Sequence, residues 1–568
     1  MDLSEDIVLN PRGFSLFTSL AALFAFLLLM IETSGYLAHY AGLIRSLNIF
    51  CFSVFAFDVF LRFWHSSNRP AYFIRHYQDL IIFVAPLTFI GNHDGNSFTL
   101  IFRQAVIIVV LFSRIRRVKD LIALISKKPA HLMVASFLFA IGAGAVLLML
   151  PIATSSGVKT SFVDALFTAT SAVCVTGLTV KDTATHFNLF GQSVILFLIQ
   201  IGGLGIMTAS VSLVLLLQKR MEKQGQIMMQ DVLDQDSLSS VKGTLVFILK
   251  MTVFIEATGA IFLFFFWKDH FPGFFAAAYH SLFHAISAFC NAGFSTFSNN
   301  LVDFSFDIGV NLTICALIVS GGLGFTVVRD IQYNLGLGKS EAPRFLRLKA
   351  QTKMVLFVSL ILIVAGTALI YLLETKNSFA GLDRGQKVIV SFFQSITART
   401  AGFNTCDIGC LSPATLLVIC ALMFIGGSPG STAGGLKTTT VAVLWATLAS
   451  ELRQKDEPEL FKRTIPAEVI KKALTLLLLS LGVLLFCDIL LMYTEKKPFL
   501  DILFESVSAL GTVGLSTGIT GQLSEKGKVI VTVLMFLGRL GPVTVAYVFL
   551  RYRRPAQYLY AQERVMIG

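Results

Sequence analysis

Long runs of apolar residues, separated by short polar and basic loops, recur along the whole chain of 568 residues. Several runs exceed ~18 residues, the length that an α-helix needs to cross the hydrocarbon core of a bilayer. The first run, at 14–34, is too long and has the wrong flanking residues for a cleaved signal peptide. The pattern therefore predicts an all-α polytopic membrane protein that retains its first helix.

The apolar pattern contains a fourfold internal repeat. Four strips share a glycine followed by Leu or Phe, and this glycine recurs at intervals of 116, 109 and 112 residues. The strips are "LFTATSAVCVTGL", "LFHAISAFCNAGF", "SFFQSITARTAGF" and "LFESVSALGTVGL", and their glycines are Gly177, Gly293, Gly402 and Gly514. In each repeat a short amphipathic segment lies between two long apolar helices. A segment of about 12 residues cannot span a bilayer, so each one should enter and leave on the same side.

We therefore predict four helix–pore-helix–helix repeats around one pseudo-fourfold pore. The predicted boundaries are 126–235, 236–345, 346–460 and 461–568, the last including the C-terminal tail. Residues 1–125 hold four more apolar segments, predicted to form an N-terminal four-helix bundle. With twelve spans in all, both termini are expected in the cytoplasm.

The N-terminal bundle is voltage-sensor-like in outline. A voltage sensor carries arginines at regular spacing through the membrane, whereas here only Arg103 lies well before the basic cluster Arg114–Lys119. We therefore favour a structural or interaction role, with voltage sensing as the alternative.

Composition and charge agree with a membrane protein. The chain is 55% hydrophobic and 14% charged, with a mean hydropathy of +0.74, which excludes a soluble globular protein of this size. The net charge of +12 comes from Lys and Arg in short loops, and every second loop is basic. This is the positive-inside pattern, so topology explains the charge without a nucleic-acid partner.

The four glycine strips have the composition of an ion-selectivity filter. A dehydrated cation needs oxygen ligands, and backbone carbonyls supply them without a fixed charge in the membrane. Pointing successive carbonyls at one axis requires unusual dihedral angles, which glycine adopts without steric cost. The candidate filter residues are Cys174, Val175, Thr176, Gly177, Cys290, Asn291, Ala292, Gly293, Arg399, Thr400, Ala401, Gly402, Gly511, Thr512, Val513 and Gly514.

A second set of glycines recurs 24 to 28 residues after the strips: Gly202, Gly321, Gly426 and Gly538. They are expected to bend the second helices or to let backbones approach closely near the axis. Repeat 3 departs from its siblings at "GGSPGSTAGGLKTTT" (426–440), because so many glycines and a proline cannot stay helical.

Arg539 stands where the other repeats have glycine (Gly203, Gly322 and Gly427). An arginine inside a membrane is costly and is rarely placed towards lipid. We expect it just below the filter, hydrogen-bonded to carbonyls of the "GGSPGSTAGG" segment. The alternative is a buried ion pair with Asp488 or Glu256.

Taken together, these motifs resemble the Trk/Ktr/HKT superfamily of potassium transporters. The resemblance rests on "TSAVCVTGL", "AFCNAGF", "TARTAGFNT", "GTVGLSTG", "IGGLGI", "FIGGSPGSTAGG" and "FLGRLGP", and it covers about residues 131–568. The final "QERVMIG" is similar to the end of KtrB-type subunits. The resemblance implies a KtrB/TrkH-like pore subunit selective for potassium, since all four filter glycines are kept and a serine at the first accompanies sodium preference in the family.

The resemblance also implies a gate below the filter and a set of partners. The gate residues would be Gly426, Gly427, Ser428, Pro429, Gly430, Ser431, Thr432, Ala433, Gly434, Gly435 and Arg539. The protein would be a homodimer in the bacterial cytoplasmic (inner) membrane, in contact with lipid. It would sit on a cytoplasmic ring of RCK-type nucleotide-binding regulatory subunits similar to KtrA or TrkA.

No cofactor is expected in this chain, where K⁺ is the permeant ion, and ATP/ADP or NAD(H) is expected on the regulatory partner. Two alternatives stay open: a Na⁺-coupled or Na⁺-permeable transporter of the same fold, and a non-conducting membrane sensor. The sequence leaves the transport rate, sodium or proton symport and the identity of the nucleotide open.

Three weaker signals favour ordinary structural roles. His280 and His284 have a spacing that could hold a metal or haem, but no other span has a matching pair, so a redox enzyme is disfavoured. "LGLGKS" (335–340) lacks the first glycine of a phosphate-binding loop. Cys406 and Cys410 form a close pair in a predicted outer loop, where a disulfide is less favoured than two free thiols. No catalytic residue is expected.

Overall fold

The structure is a computed structural model that describes residues 129–217, 238–336, 348–455 and 457–549. The N-terminal four-helix prediction, most of the "LGLGKS" segment and the C-terminal tail lie outside the described residues. Within them the regular secondary structure is helical except for one short β-hairpin.

The helices follow the predicted order in all four repeats. Repeat 1 contains α1 (Pro129–Met149), the pore helix α2 (Phe162–Val173), the one-turn α3 (Thr183–His186) and α4 (Leu189–Leu217). Repeat 2 contains α5 (Leu238–Trp267), the pore helix α6 (Phe274–Phe289), α7 (Ile308–Leu323) and α8 (Phe325–Gly336).

Repeats 3 and 4 use the same plan with one insertion. Repeat 3 contains α9 (Ala350–Glu374), the pore helix α10 (Arg384–Thr397), α11 (Pro413–Phe424) and α12 (Thr438–Leu452). Between α11 and α12 runs a non-helical segment, 425–437, which we call the repeat-3 loop. The hairpin strands β1 (Glu459–Leu460) and β2 (Arg463–Thr464) then lead to repeat 4, with α13 (Ala467–Thr494), the pore helix α14 (Phe499–Gly511), α15 (Glu525–Leu540) and α16 (Pro542–Phe549).

The second helices begin where a polar side chain accepts a hydrogen bond from the first turn. Asp307 accepts from the N–H of Val310 at 3.1 Å and starts α7. Ser412 and Ser524 cap α11 and α15 in the same way, at 3.3 and 3.1 Å. These caps satisfy backbone donors that a helix start would leave unpaired, so the apolar runs begin at defined residues.

Three described helices are long and apolar enough to cross a membrane by themselves: Val246–Trp267, Ala350–Glu374 and Ala467–Thr494. A fourth span, Ile308–Leu323 with Phe325–Asn334, is bent by 96°. The bend lies at Gly324, whose φ of +84° favours glycine and where a side chain would meet the Pro429 carbonyl oxygen at 2.6 Å. The repeat-3 loop therefore packs into the bend of repeat 2.

The repeats close into a ring through one recurring contact. The second helix of each repeat packs against the pore helix of the next: α4 on α6, α7 on α10, α11 on α14, and α15 on α2. The last contact joins repeat 4 back to repeat 1. There the ammonium of Lys528 lies 2.6 Å from a carboxylate oxygen of Asp164, and both side chains are largely buried. The fold is an all-α membrane protein with four pore helices around one axis.

Candidate functional site

The four glycines predicted to share an axis form a closed ring in the structure. Their φ values are +94°, +70°, +77° and +96° for Gly177, Gly293, Gly402 and Gly514. A side chain on any one would come within 2.9 to 3.2 Å of the Cα of the next. It would also strike the carbonyl oxygen before that glycine, namely Ala292, Ala401, Val513 and Thr176 in ring order. Only glycine fits this crowded backbone.

The residue two positions before each glycine also has a positive φ. The values are +55° for Val175, +59° for Asn291, +76° for Thr400 and +50° for Thr512. A left-handed backbone at a residue other than glycine costs about 1–3 kcal/mol and is least favourable for β-branched side chains. Its recurrence in four repeats shows that the fold imposes it. Sequence reasoning missed this feature, because Val and Thr normally avoid the conformation.

Hydroxyl groups on the pore helices hold the glycine strips in place. Ser171 accepts from the N–H of Gly177 at 3.1 Å, and Ser508 accepts from the N–H of Gly514 at 3.0 Å. In repeats 2 and 3 the direction is reversed: Ser287 donates to the Phe294 carbonyl at 2.8 Å and Thr397 donates to the Phe403 carbonyl at 2.6 Å. These four residues were absent from the predicted site, although a hydroxyl near this point in every strip was a signal for them.

Two threonine hydroxyls in the strips lack a hydrogen-bonding partner in the part of the chain that the structure describes. Thr176 and Thr512 are fully buried, and neither Oγ1 has a hydrogen-bonding partner among the described residues. Buried polar groups are normally satisfied. Carbonyl and hydroxyl oxygens arranged around one axis are suitable ligands for a dehydrated alkali cation.

The first predicted filter residue of each strip packs behind the ring. Cys290 Sγ lies 3.6 Å from Gln200 Oε1, on α4 of repeat 1. The guanidinium of Arg399 donates to the hydroxyl of Ser359 on α9 at 3.0 Å. Cys174 is fully buried, and Gly511, which has no side chain, packs against the Met423 carbonyl. The strip's backbone from the next residue onward forms the ring.

The second set of glycines lets three helices touch the ends of pore helices. A side chain at Gly202, Gly321 or Gly538 would collide with the carbonyl oxygen of Val173, Phe289 or Leu510, respectively. Each of these carbonyls lies four residues before a ring glycine. Repeat 3 differs, because Gly426 faces the carbonyl of Gly434 in the repeat-3 loop instead.

The repeat-3 loop lies directly below the ring and is pinned by backbone hydrogen bonds. Ser428 and Thr432 donate their N–H groups to the carbonyls of Gly322 and Gly321 at 3.0 and 3.3 Å. The hydroxyl of Thr432 donates to the Phe289 carbonyl, at the end of pore helix α6, at 3.1 Å. On the opposite side, the loop's Gly434 packs against the Thr512 side chain. The loop thus bridges repeats 2 and 4 across the axis.

Arg539 joins this loop to the surrounding helices. It is 4% exposed. One Nη donates to the carbonyl of Thr432 in the loop, and the other donates to the carbonyl of Gly202 on α4 at 2.6 Å. The structure therefore gives it carbonyl partners on repeats 1 and 3. Asp488 and Glu256, the ion-pair partners considered above, do not form salt bridges with it in the described part of the chain.

A vestibule of about 520 Å³ opens on the face of the ring opposite the repeat-3 loop. All four ring glycines line it, as do the carboxylates Asp182 and Asp407 and several hydroxyl and amide groups. Carboxylates around a mouth raise the local cation concentration.

The weaker candidates have structural roles. Both ring nitrogens of His284 have partners, the His280 carbonyl at 2.8 Å and Ser295 Oγ at 2.9 Å, so neither is available to a metal. The described residues contain no group of three His, Cys, Asp or Glu side chains suited to a metal. Cys406 and Cys410 are free thiols. A hydrogen bond of 3.3 Å to the carboxylate of Asp407 raises the pKa of Cys410, and burial raises that of Cys406 to about 12. Both are therefore weak nucleophiles.

Comparison with known proteins places this geometry in a family. The family model "TrkH: Cation transport protein" matches residues 106–554. The Ktr system potassium uptake protein B of Bacillus subtilis (strain 168) is 41% identical over 74% of this chain and 93% of its own. The protein of the same name from Vibrio alginolyticus is 39% identical over 77% and 94%, and the potassium/sodium uptake protein NtpJ of Enterococcus hirae is 38% identical over 78% and 97%.

Solved structures share the fold. The potassium transporter TrkH from Vibrio parahaemolyticus superposes with a TM-score of 0.63 over 94% of this chain and 98% of its own, at 17% identity.

Proposed function

The chain belongs to the TrkH family of cation transport proteins, and on that premise we propose that it carries potassium ions into the cell as the conducting subunit of a Trk/Ktr-type system. The observation that carries the proposal is the closed ring of Gly177, Gly293, Gly402 and Gly514. Each glycine approaches a carbonyl oxygen of the next repeat, so four carbonyls surround one axis.

Selectivity for potassium over sodium is part of the proposal. Supporting it are glycine at all four ring positions, and the names of the potassium uptake proteins that are 39–41% identical to this chain. The relative named for potassium and sodium uptake keeps sodium permeation or coupling as the alternative.

Gating by the repeat-3 loop and Arg539 is the second part. The loop crosses the axis below the ring, and its contacts with repeats 2 and 4 and with Arg539 hold it there. A conducting state requires the loop to move aside, which would break the contacts of Thr432. A cytoplasmic ring of RCK-type nucleotide-binding subunits, expected to bind ATP/ADP or NAD(H), would drive this movement. The name "Ktr system" of the relatives supports a regulatory partner.

The proposed setting is the bacterial cytoplasmic membrane. The protein would form a homodimer with both termini in the cytoplasm and the vestibule facing the exterior. The N-terminal region 1–125 is proposed to have a structural or interaction role.

The test is potassium uptake by an uptake-deficient host that expresses this chain, with and without a candidate regulatory subunit. The decisive variant is Gly177→Ser, whose side chain would disturb the carbonyl of Ala292. Its matched control is Gly273→Ser, because Gly273 has nearly the same φ, +96°, but open space where a side chain would lie. We expect Gly177→Ser to lose discrimination against sodium and Gly273→Ser to keep it. Equal selectivity in the two variants would show that the glycine ring does not determine which ion passes.

A further inference from the structure

A buried carboxyl group ties the chain that leaves the ring to a pore helix. Glu505 lies on α14, nine residues before Gly514, and is 1% exposed. Its carboxyl oxygens lie within hydrogen-bonding distance of the hydroxyls of Ser516, at 2.8 Å, and of Thr520. Both residues follow Gly514 in the chain and line the vestibule. Glu505 therefore holds the segment 515–520, which follows the ring glycine and lines the vestibule, and which we call the exit segment.

Counting hydrogens decides the protonation state of this carboxyl. Ser516 Oγ and Thr520 Oγ1 lie 2.9 Å apart, so Glu505, Ser516 and Thr520 make three mutual oxygen–oxygen contacts. Each hydroxyl has one hydrogen, and an ionised carboxylate has none. An ionised Glu505 would leave one contact with two oxygens facing each other and no hydrogen between them. A neutral carboxyl supplies the third hydrogen, so that all three contacts become O–H···O bonds.

The surrounding backbone agrees with this arrangement. The N–H of Gly518 donates to Ser516 Oγ at 3.0 Å. With the carboxyl neutral, Ser516 uses its one hydrogen towards Glu505 and accepts from Gly518 and Thr520. Its single donor and both lone pairs are then satisfied.

The same tether is present in the repeat across the ring. His284 occupies the position of Glu505 in repeat 2, and its Nε2 lies 2.9 Å from Ser295 Oγ. Ser295 stands two residues after its ring glycine, as Ser516 does, and accepts from the N–H of Phe297 at 2.9 Å. Repeats 1 and 3 have Thr168 and Phe393 at this position. A titratable side chain thus holds the exit segment in two opposite repeats.

The charged groups near Glu505 do not stabilise a negative charge on it. Asp501 lies one turn earlier on the same helix, and the segment 515–524 contains no charged residue. Among the described residues, no Lys, Arg or His forms an ion pair with Glu505. The titratable or charged side chains on the helices packed against α14 are Cys420 on α11; Glu468, Lys471, Lys472, Cys487, Asp488 and Tyr493 on α13; and Glu525, Lys526, Lys528 and Arg539 on α15.

We propose that Glu505 is a proton-binding site, and that its neutral carboxyl positions the exit segment of repeat 4 through Ser516 and Thr520. This inference rests on the ion conduction proposed above and makes Glu505 a positioning residue. When the external pH rises, the proton leaves to water in the vestibule and one of the three hydrogen bonds is lost. The exit segment loosens, and discrimination between potassium and sodium falls.

The test measures potassium and sodium flux into liposomes that contain the full-length protein, as the external pH is raised. In the wild type we expect the preference for potassium to fall by about fivefold, the factor that corresponds to one net hydrogen bond. Glu505→Gln should keep its preference at all pH values, because the amide donates to Thr520 and accepts from Ser516 without titrating. Glu525→Gln, the matched control, removes an exposed carboxylate at the start of α15 and should follow the wild type. The same pH profile in wild type and Glu505→Gln would overturn the proposal.

Two further measurements separate this proposal from the conduction that it assumes. The infrared absorption of a protonated carboxyl should appear in the difference between wild type and Glu505→Gln near neutral pH, whether or not ions pass. Its absence would refute the proton on Glu505. A wild-type protein that shows this absorption but carries no potassium would refute the conduction function alone. If Glu505→Gln does not fold, Ser516→Ala provides the flux test and should lower the preference at acidic pH.

Discussion

Replacing Arg539 by alanine tests whether the repeat-3 loop is held shut. The side chain is buried and donates to the Thr432 carbonyl in the loop and to the Gly202 carbonyl on α4. Of these two bonds of Arg539, only the bond to Thr432 reaches the repeat-3 loop. A hydrogen bond from a charged donor contributes about 1.5–3 kcal/mol. Because ~1.4 kcal/mol corresponds to a factor of ten, its loss should shift the loop towards the displaced position by about 10- to 100-fold.

We therefore expect Arg539→Ala to raise potassium uptake and to lessen its dependence on a regulatory subunit. The assay is initial uptake by a potassium-depleted, uptake-deficient host, normalised to the amount of protein in the membrane. Arg539→Lys keeps a cation that can reach one carbonyl, so its uptake should lie between those of wild type and alanine variant. Arg384→Ala is the control, because Arg384 is an exposed arginine at the start of α10.

A well-expressed Arg539→Ala protein that transports less than the wild type would refute the latch. The bond to Gly202 would then be the important one, and the arginine would mainly hold repeat 4 against repeat 1. A lowered melting temperature in detergent, together with reduced uptake, is the signature of that outcome.

Three other substitutions probe the ring and the loop. Lys528→Met breaks the buried pair with Asp164 and should destabilise the protein by about 3 kcal/mol, measured as a lower melting temperature. The control Lys526→Met changes an exposed lysine and should not lower the melting temperature. Equal melting temperatures of the two variants would show that the pair does not close the ring. Thr512→Val removes a hydroxyl without a protein partner and should lower potassium uptake about fivefold at unchanged thermal stability; unchanged uptake would exclude it as an ion ligand. Gly434→Ala places a methyl group against the Thr512 side chain, so the loop should be displaced and uptake should rise severalfold; a fall would place the loop's function elsewhere.

The ring could be predicted from the sequence because its four glycines recur at a nearly constant interval along the chain. The glycine interval of about 110 residues identified four equivalent positions, and the structure brings all four together. The left-handed residues beside them could not be predicted in this way. Val175, Thr400 and Thr512 are β-branched, and local preference places such residues in extended backbone. The pore-helix hydroxyls and the packing of four repeats override that preference.

Alignment of repeats gives the position of a residue along the chain but not the direction of its side chain. Arg399 aligns with Cys174, Cys290 and Gly511 at the start of the strips, yet its guanidinium turns back to Ser359 on α9, the first helix of repeat 3. The Asp164–Lys528 pair was equally invisible, because its members are 364 residues apart and meet only when the ring closes. Such contacts depend on the tertiary fold. A repeat pattern predicts only the features that all four repeats share.

The departure of repeat 3 from this symmetry supports the proposal that one backbone plan supplies both the filter and the gate. In repeats 1, 2 and 4 a glycine on the second helix packs against the end of a pore helix, so these helices are fixed to the ring. In repeat 3 the corresponding Gly426 packs against the loop's own Gly434, so the shared glycine contact does not fix this segment to a pore helix. In the proposed gating, the segment that moves is therefore the one that lacks the shared contact, and Arg539, in the repeat that follows, supplies a bond in its place that can be broken. Such a movement would leave the four glycines in place, so the proposed opening step need not disturb the carbonyls of the ring.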